Sequence, residues 1–336
     1  MPTADRLEQL IEQFGGRRVV ILGDLVCDEF LYGDISRVSR EAPVLILEHR
    51  RTDVVPGGGG NTAQNLYALD AVPIPVGIVG RDPSGNSLLE QFRRSGISTS
   101  NILTRAGYQT PTKRRVMAGG IHTRRQQIVR IDEGVSHRPL PKRSQEGLRT
   151  RLRTALRRAD GLLVADYGFG AADPDVLRGV GGDSHRRSLP VTVDSRTRAD
   201  QFRNVTACTP NQEELEQVLN LAPIDSETRV EEAGRKLLRR SGNQAVLVTR
   251  GARGMILFQQ RRPPLHIPAY GSDEVADVTG AGDTVIAVFT LALLAGATFP
   301  EAALLANYSA GLVVMKAGTA TVSRDELLRA VRESYR

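Results

Sequence analysis

The residues with the clearest chemical promise are Asp277-Val278-Thr279-Gly280-Ala281-Gly282-Asp283, which run straight into the apolar stretch Thr284 to Leu291. Small residues opening a long apolar helix leave its first backbone N–H groups unpaired at the positive end of the helix dipole, an arrangement suited to phosphate. Asp283 falls in that first turn, where a carboxylate can take the proton from a hydroxyl attacking phosphorus. A second segment, Pro56-Gly57-Gly58-Gly59-Gly60-Asn61-Thr62-Ala63, also leads into a helical pattern. Its glycines let backbone approach a ligand closely, and Asn61 offers both a donor and an acceptor. Gly58, Gly60 and Ala63 also satisfy a loose G-x-G-x-x-A with Asp82 downstream, which keeps open an NAD-binding oxidoreductase. Pro56 interrupts the strand-to-turn run that such a unit wants. No Walker A loop is present, so ATP chemistry would need another phosphate cradle. Asn211-x-x-Glu214 describes a helix capping box.

These segments need a scaffold, and the apolar pattern supplies one. Short runs at Val19 to Leu22, Ile74 to Val79, Leu162 to Ala165, Val191 to Val193, Ala245 to Val248 and Met255 to Phe258 suit strands buried on both faces. Helical patterns alternate with them at 62–69, 86–94, 147–158, 213–219 and 229–240. The alternation predicts an α/β fold, a doubly wound and mostly parallel sheet flanked by helices, with ligands beyond the carboxyl ends of its strands. Residues 30–51 and 110–131 break the rhythm with alternating β-rich character and read as a small β lid. With no evident linker or repeat, residues 1–336 are expected to form a single domain. Leu7, Leu10, Ile11 and Phe14 share one face of an amino-terminal helix that Gly15-Gly16 should stop.

Composition removes several function classes. The 336 residues carry 45 Lys+Arg against 38 Asp+Glu, a net charge of +7, and are 40% hydrophobic. Disordered, collagenous and disulfide-scaffold chains do not look like this. Cys27 and Cys208 belong to no metal-binding spacing, and His49, His122, His137, His185 and His266 show no metal or triad spacing. No apolar run approaches a membrane span and no leader is evident, so a cytoplasmic protein is expected. Residues 105–158 hold 15 Lys+Arg and 3 Asp+Glu, so the positive charge is one cationic segment on a mildly acidic body. With only 15 aromatics and no Trp, this favours capture of phosphorylated small molecules over nucleic-acid binding.

Asp277 to Asp283 resembles the carboxyl-terminal signature of the ribokinase/PfkB sugar-kinase family, and Gly57 to Asn61 resembles its amino-terminal signature. Further stretches include Gly23-Asp24 through Asp28, Ser36 to Val44, Thr112 to Val116, Gln126 to Asp132, Asp166-Tyr167, Thr209-Pro210-Asn211 and Gly318 to Ser323. They are similar to the branch that phosphorylates C1 of D-glycero-β-D-manno-heptose 7-phosphate, a step toward ADP-heptose and the lipopolysaccharide core. The resemblance implies a ribokinase-like fold, ATP as donor, Mg2+ and, in some relatives, K+. It implies Asp283 as the base and Gly280, Ala281 and Gly282 as the anion hole. Asp28, Gly57, Gly58, Gly59 and Asn61 match sugar-binding positions, and Lys113, Arg115 and Arg130 are candidates to grip the substrate's own phosphate. On the nucleotide side it points to Asn211, Glu214, Thr249, Arg250, Gly251 and Asn307. Asn211 and Glu214 would place Mg2+, directly or through water, and Asp277 and Thr279 would hold the monovalent cation. The chain departs from the branch at Phe169 and Arg196, where Lys is expected. A homodimer paired through the lid is expected by the same analogy. With the sequence ending at Arg336 and no adenylyltransferase domain, that step is expected from a separate protein.

Overall fold

The protein is described by a computed structural model covering residues 2–119, 126–134, 139–179, 189–271, 276–316 and 318–335. His122, His137 and His185 lie outside these residues, as do 120–125 of the expected lid. The chain opens with α1 (Ala4–Glu12), capped by the Thr3 hydroxyl and buried through Leu7, Leu10 and Ile11. Next come β1 (Arg18–Gly23), the long strands β2 (Leu25–Val38) and β3 (Leu45–Gly58), α2 (Gly59–Ala68) and β4 (Val72–Gly80). They are followed by α3 (Pro83–Arg94), β5 (Ile102–Arg105), β6 (Thr112–Gly119), β7 (Gln126–Glu133) and α4 (Lys142–Leu156). The middle of the chain supplies β8 (Gly161–Asp166), α5 (Pro174–Arg178), β9 (Val191–Ser195), β10 (Ala207–Cys208), α6 (Gln212–Leu219) and α7 (Glu227–Ser241). The last third adds β11 (Ala245–Thr249), β12 (Met255–Gln259), β13 (Leu265–Ile267), α8 (Ala281–Leu294), α9 (Phe299–Val314) and α10 (Arg324–Ser334).

The main sheet has nine strands in the order β13-β12-β11-β10-β9-β8-β1-β4-β5. All neighbouring pairs from β11 to β5 are parallel, and only the β11–β12 and β12–β13 pairs at one edge are antiparallel. Alternation within the strands explains the two cores. Val19 and Ile21 join one apolar cluster with α1, α2, α3, α8, α9 and α10, while Val20 and Leu22 join another with α4 to α7. Continuous apolar strands buried on both faces are what a doubly wound sheet requires.

The second sheet, β3-β2-β6-β7, is built from the two stretches that broke the helical rhythm. Its long strands reach further inward than 30–51, because Leu25 to Asp28 and Pro56 to Gly58 are buried where the sheet meets the body. Register shifts interrupt β2 against β3 between Tyr32 and Gly33 and again between Ile35 and Arg37, and such irregularities bend and twist a strand pair. Asp82 caps α3 through Gly85 N–H and also accepts from the Thr110 N–H and hydroxyl. The glycine turn ahead of α2 leaves an antiparallel strand of this second sheet. Gly58, Gly60, Ala63 and Asp82 therefore do not assemble the strand–turn–helix unit of a dinucleotide site, which corrects that reading.

Candidate active site

A cleft of about 320 Å³ lies where the carboxyl ends of β8, β9, β10 and β11 meet the second sheet and the start of α8. It brings together Asp28, Gly57, Gly58, Asn61, Lys113, Arg115, Arg130, Asn211, Glu214, Thr249, Thr279, Gly280, Gly282 and Asp283. These come from segments more than 250 residues apart. Asn211, Thr249 and Val278 also line a neighbouring cleft of about 860 Å³, together with Arg250 and Gly251.

Asp283 is the best-determined group in the site. It is 4% exposed, and its Oδ2 accepts from Asn61 Nδ2 at 2.8 Å. Its Oδ1 accepts from the hydroxyls of Thr62 and Tyr167, each at 2.8 Å. Burial raises the Asp283 carboxyl above its usual range, and the Asn61, Tyr167 and Thr62 donors pull it back. Asn61 and Thr62 are placed by α2, which one turn on also carries Asn65, and Tyr167 by the end of β8. The Thr284 hydroxyl donates to Asn65 Oδ1 at 2.8 Å, which knits α2 to α8 in a buried polar ladder.

Glycines let these helices meet. Gly280 precedes α8 with φ +81°, and a Cβ there would sit 2.5 Å from Asn61 Nδ2. No side chain caps α8. The Ala281 N–H turns to the Val278 carbonyl at 3.3 Å, and among the described residues the Gly282 and Asp283 N–H groups have no acceptor. A Cβ on Gly282 would meet nothing within 4 Å. Gly58 takes φ +58° ahead of α2, and the Gly59 N–H donates to the Asp24 carbonyl at 3.0 Å.

The second sheet contributes the charges. Asp28 is 5% exposed and accepts from Arg115 Nη1 at 2.7 Å. A Cβ on Gly57 would fall 2.3 Å from Asp28 Oδ2, so the missing side chain at Gly57 makes room for that carboxylate. Arg115 is thus tied to Asp28 and stacked over Phe30, and exposed Arg130 pairs with exposed Asp132. Lys113 and Arg196 are differently placed. Among the described residues neither forms an ion pair, and both lie over the Tyr167 ring, at 5.7 and 4.5 Å from its centroid. Burial, then the nearby Arg196 charge, lowers the Lys113 ammonium from its usual value.

Asp194 and Glu214 line the same cleft, near enough to Arg196 for its charge to act on both. Burial, then the charges of Glu214 and Asp283, push Asp194 well above the ordinary carboxylate range. Burial likewise raises Glu214 to about 7, against the Asn211 N–H and Arg196. Asn211 and Glu214 do form the reciprocal capping box, with Asn211 Oδ1 accepting from Glu214 N–H at 2.8 Å and Glu214 Oε2 from Asn211 N–H at 2.9 Å. Buried hydroxyls of Thr209 and Thr319, both in the cleft wall, have no hydrogen-bond partner among the described residues. An all-oxygen set with crowded carboxylates and a free hydroxyl fits a hard divalent cation. Asp194 and Glu214 Oε1 fit it better than Asn211, whose side-chain oxygen already serves the helix cap.

Some expected residues lie elsewhere. The Arg250 guanidinium is bound to Glu227 at 2.7 Å and lines only the larger cleft. Asn307 lines neither cleft and donates to the Pro268 carbonyl at 2.9 Å, anchoring α9 to the chain after β13. Asp277 accepts from the Thr279 N–H at 2.9 Å in a local turn. Phe169, where a lysine was expected, lies in a loop fixed through its backbone. Tyr167, Asp194, Thr209 and Thr319 were not singled out as site residues from sequence. For Tyr167 a signal existed, since Asp166-Tyr167-Gly168 ends a buried strand at the ligand edge of the sheet.

A nine-stranded doubly wound sheet, a covering β sheet and a carboxylate at a glycine-opened helix start define a ribokinase-like fold. Arabidopsis thaliana ribokinase in complex with ribose and ATP matches 95% of this chain and 99% of its own, with a TM-score of 0.72 at 20% identity. Escherichia coli phosphofructokinase-2 in complex with substrates and products matches 95% of this chain and 100% of its own, with a TM-score of 0.73 at 15% identity. The chain belongs to the pfkB family of carbohydrate kinases, whose pattern matches residues 184–326. Bifunctional protein HldE of Trichlorobacter lovleyi is 37% identical over 331 residues, which is 98% of this chain and 66% of that protein. The HldE of Hahella chejuensis is 38% identical over 96% of this chain and 65% of its own length. The chain therefore spans just under two thirds of the length of these relatives.

Proposed function

We propose that this protein is an ATP-dependent sugar-phosphate kinase that phosphorylates the C1 hydroxyl of D-glycero-β-D-manno-heptose 7-phosphate, a step in ADP-heptose synthesis. The observation that carries this reading is the Asp283 carboxylate. It is buried, hydrogen-bonded on both oxygens and set beside N–H groups at the start of α8 that have no acceptor among the described residues, in a cleft lined by both cations and carboxylates. Phosphoryl transfer asks for this positioning more than for covalent chemistry. Asp28 and Asn61 would orient the sugar, Asp283 would take the hydroxyl proton, and the Gly280 to Gly282 turn would hold the transferring phosphoryl group. ATP would lie toward the larger cleft along Thr249, Arg250 and Gly251. Asp194 and Glu214 would hold Mg2+, which when bound neutralises phosphate charge. Asp277 and Thr279 remain the proposed monovalent-cation ligands.

The two cations on Tyr167 are the best-placed grip for the substrate's distal phosphate, because Arg115 and Arg130 already have carboxylate partners. Lys113→Gln and Arg196→Gln should each raise KM for the sugar phosphate by about tenfold, the worth of one charge-assisted hydrogen bond, with KM for ATP unchanged. Steady-state kinetics with each substrate varied in turn decides this. Gly282→Ala gives a second separation. The methyl meets nothing within 4 Å across the described residues, so stability should be unchanged or slightly raised. Turnover should nevertheless fall at least tenfold if the turn receives phosphate, as read by denaturant unfolding beside kinetics.

The proposal extends to a cytoplasmic homodimer whose product passes to an adenylyltransferase. Exposed Ile128, Val129 and Ile131 on β7 support pairing through the second sheet. The test of substrate is an ADP-release assay across heptose 7-phosphate, fructose 6-phosphate, ribose and nucleosides. Turnover restricted to unphosphorylated sugars would overturn the sugar-phosphate assignment.

A further inference from the structure

The two oxygens of Asp283 have unequal surroundings, and the difference determines which one can act. Oδ1 accepts from two hydroxyls, those of Thr62 and Tyr167, whereas among the described residues Oδ2 accepts only from Asn61. A carboxylate oxygen offers two lone-pair sites, so Oδ1 is saturated and Oδ2 keeps one. We infer that Tyr167 is a positioning residue which, together with Thr62, closes Oδ1 and makes Oδ2 the proton-accepting oxygen. The inference rests on the reading of Asp283 as the base. In that reaction the proton of the sugar hydroxyl passes to Oδ2. The sugar oxygen bonds to the γ-phosphorus, and the bond from that phosphorus to the bridging oxygen breaks and leaves ADP.

The fold fixes Tyr167 from both ends of the residue. Buried Asp24, at the end of β1, accepts the N–H groups of Tyr167 and Phe169 at 2.9 Å and of Ala171 at 2.8 Å, which holds the whole loop after β8. The ring is covered by Lys113 and Arg196. Burial, then the Asp283 charge, raises the Tyr167 hydroxyl well above its usual value, so it stays a donor. Its one hydroxyl proton is committed to Asp283 Oδ1, so it has none left to donate to a ligand.

The experiment uses Tyr167→Phe, Thr62→Val and the double variant, each nearly isosteric, with circular dichroism and thermal melts as folding controls. Tyr167→Phe should lower kcat by about tenfold, the scale of a hydrogen bond to a charged group, and leave both KM values unchanged. Losing a donor to the charged form raises the carboxyl's pKa. The acidic limb of the kcat profile should therefore move to higher pH in each single variant and further in the double. Asp28, Asp194, Glu214, Lys113 and Arg196 face the same cleft and are common to all variants, so the difference between profiles reports Oδ1 alone. Wild-type kcat and an unmoved limb in Tyr167→Phe would overturn the inference. If Asp283→Asn is inactive while Tyr167→Phe is normal, only this inference falls. If Asp283→Asn itself turns over normally, the base assignment falls with it.

Discussion

Asp283→Asn should reduce kcat by about 10³-fold or more, since a positioned general base contributes 10² to 10⁴ and the amide has no basic oxygen. The folded chain should survive the change. An asparagine can keep its carbonyl toward the Thr62 and Tyr167 hydroxyls, the two donors on Oδ1, and its amide toward Asn61. Asn61 can answer by presenting its own oxygen, although that oxygen now accepts from Asn65 Nδ2 at 3.3 Å. One polar pair is rearranged rather than three donors orphaned, which is what alanine would do. Nucleotide affinity should change little, because Arg250 and Gly251 line the neighbouring cleft and Thr249 stands between the two. The measurement is kcat beside ATP binding by calorimetry, with a thermal melt on the same preparation. Turnover within tenfold of wild type would show that the proton leaves by another route.

The central sheet was legible because each strand is a short apolar run that must be buried on both faces. The two-residue β10, three-residue β13 and four-residue β5 were not, since so few residues carry no period of their own and are defined by their neighbours' hydrogen bonds. The same contrast separates parts of the site. Asp283 and the Gly280 to Gly282 turn could be read locally, because helix entry, small residues and acid are adjacent in the chain. What the basic residues of the second sheet do depends on a parallel register that sets Asp28 beside Lys113 and Phe30 beside Arg115. No local pattern reveals that pairing, so Arg115 looked like a free phosphate ligand and is instead the partner of Asp28. Arg196 was noted only as a departure. Its place over Tyr167, near Lys113, comes from how the ends of β8 and β9 meet β6. Asn211 and Glu214 form the capping box that their spacing describes, and both also line the cleft.

The Asp28–Arg115 pair should produce the largest effect on stability. Both side chains are buried, at 7% and 11% exposure, so removing one leaves a charge with little water to receive it. Arg115→Met is expected to destabilise the protein by about 3–5 kcal/mol, the usual consequence of breaking a buried ion pair from one side. The carboxylate left behind leans over Gly57, where no other cation among the described residues is bonded to it, although Lys113 is its cross-strand neighbour. Asp28→Leu should cost a similar amount for the opposite reason, a guanidinium held over Phe30 without its anion. The double variant should recover most of the loss, because replacing both charges with apolar groups avoids the desolvation of either. Turnover should separate from stability in the same set. If Asp28 orients the sugar, the double variant folds nearly as well as wild type and still loses sugar-phosphate turnover, with ATP binding retained. Equilibrium urea unfolding read against kinetics makes the comparison. Additive losses in the double variant would mean that the pair is not coupled in solution, and restored turnover would remove Asp28 from the sugar site.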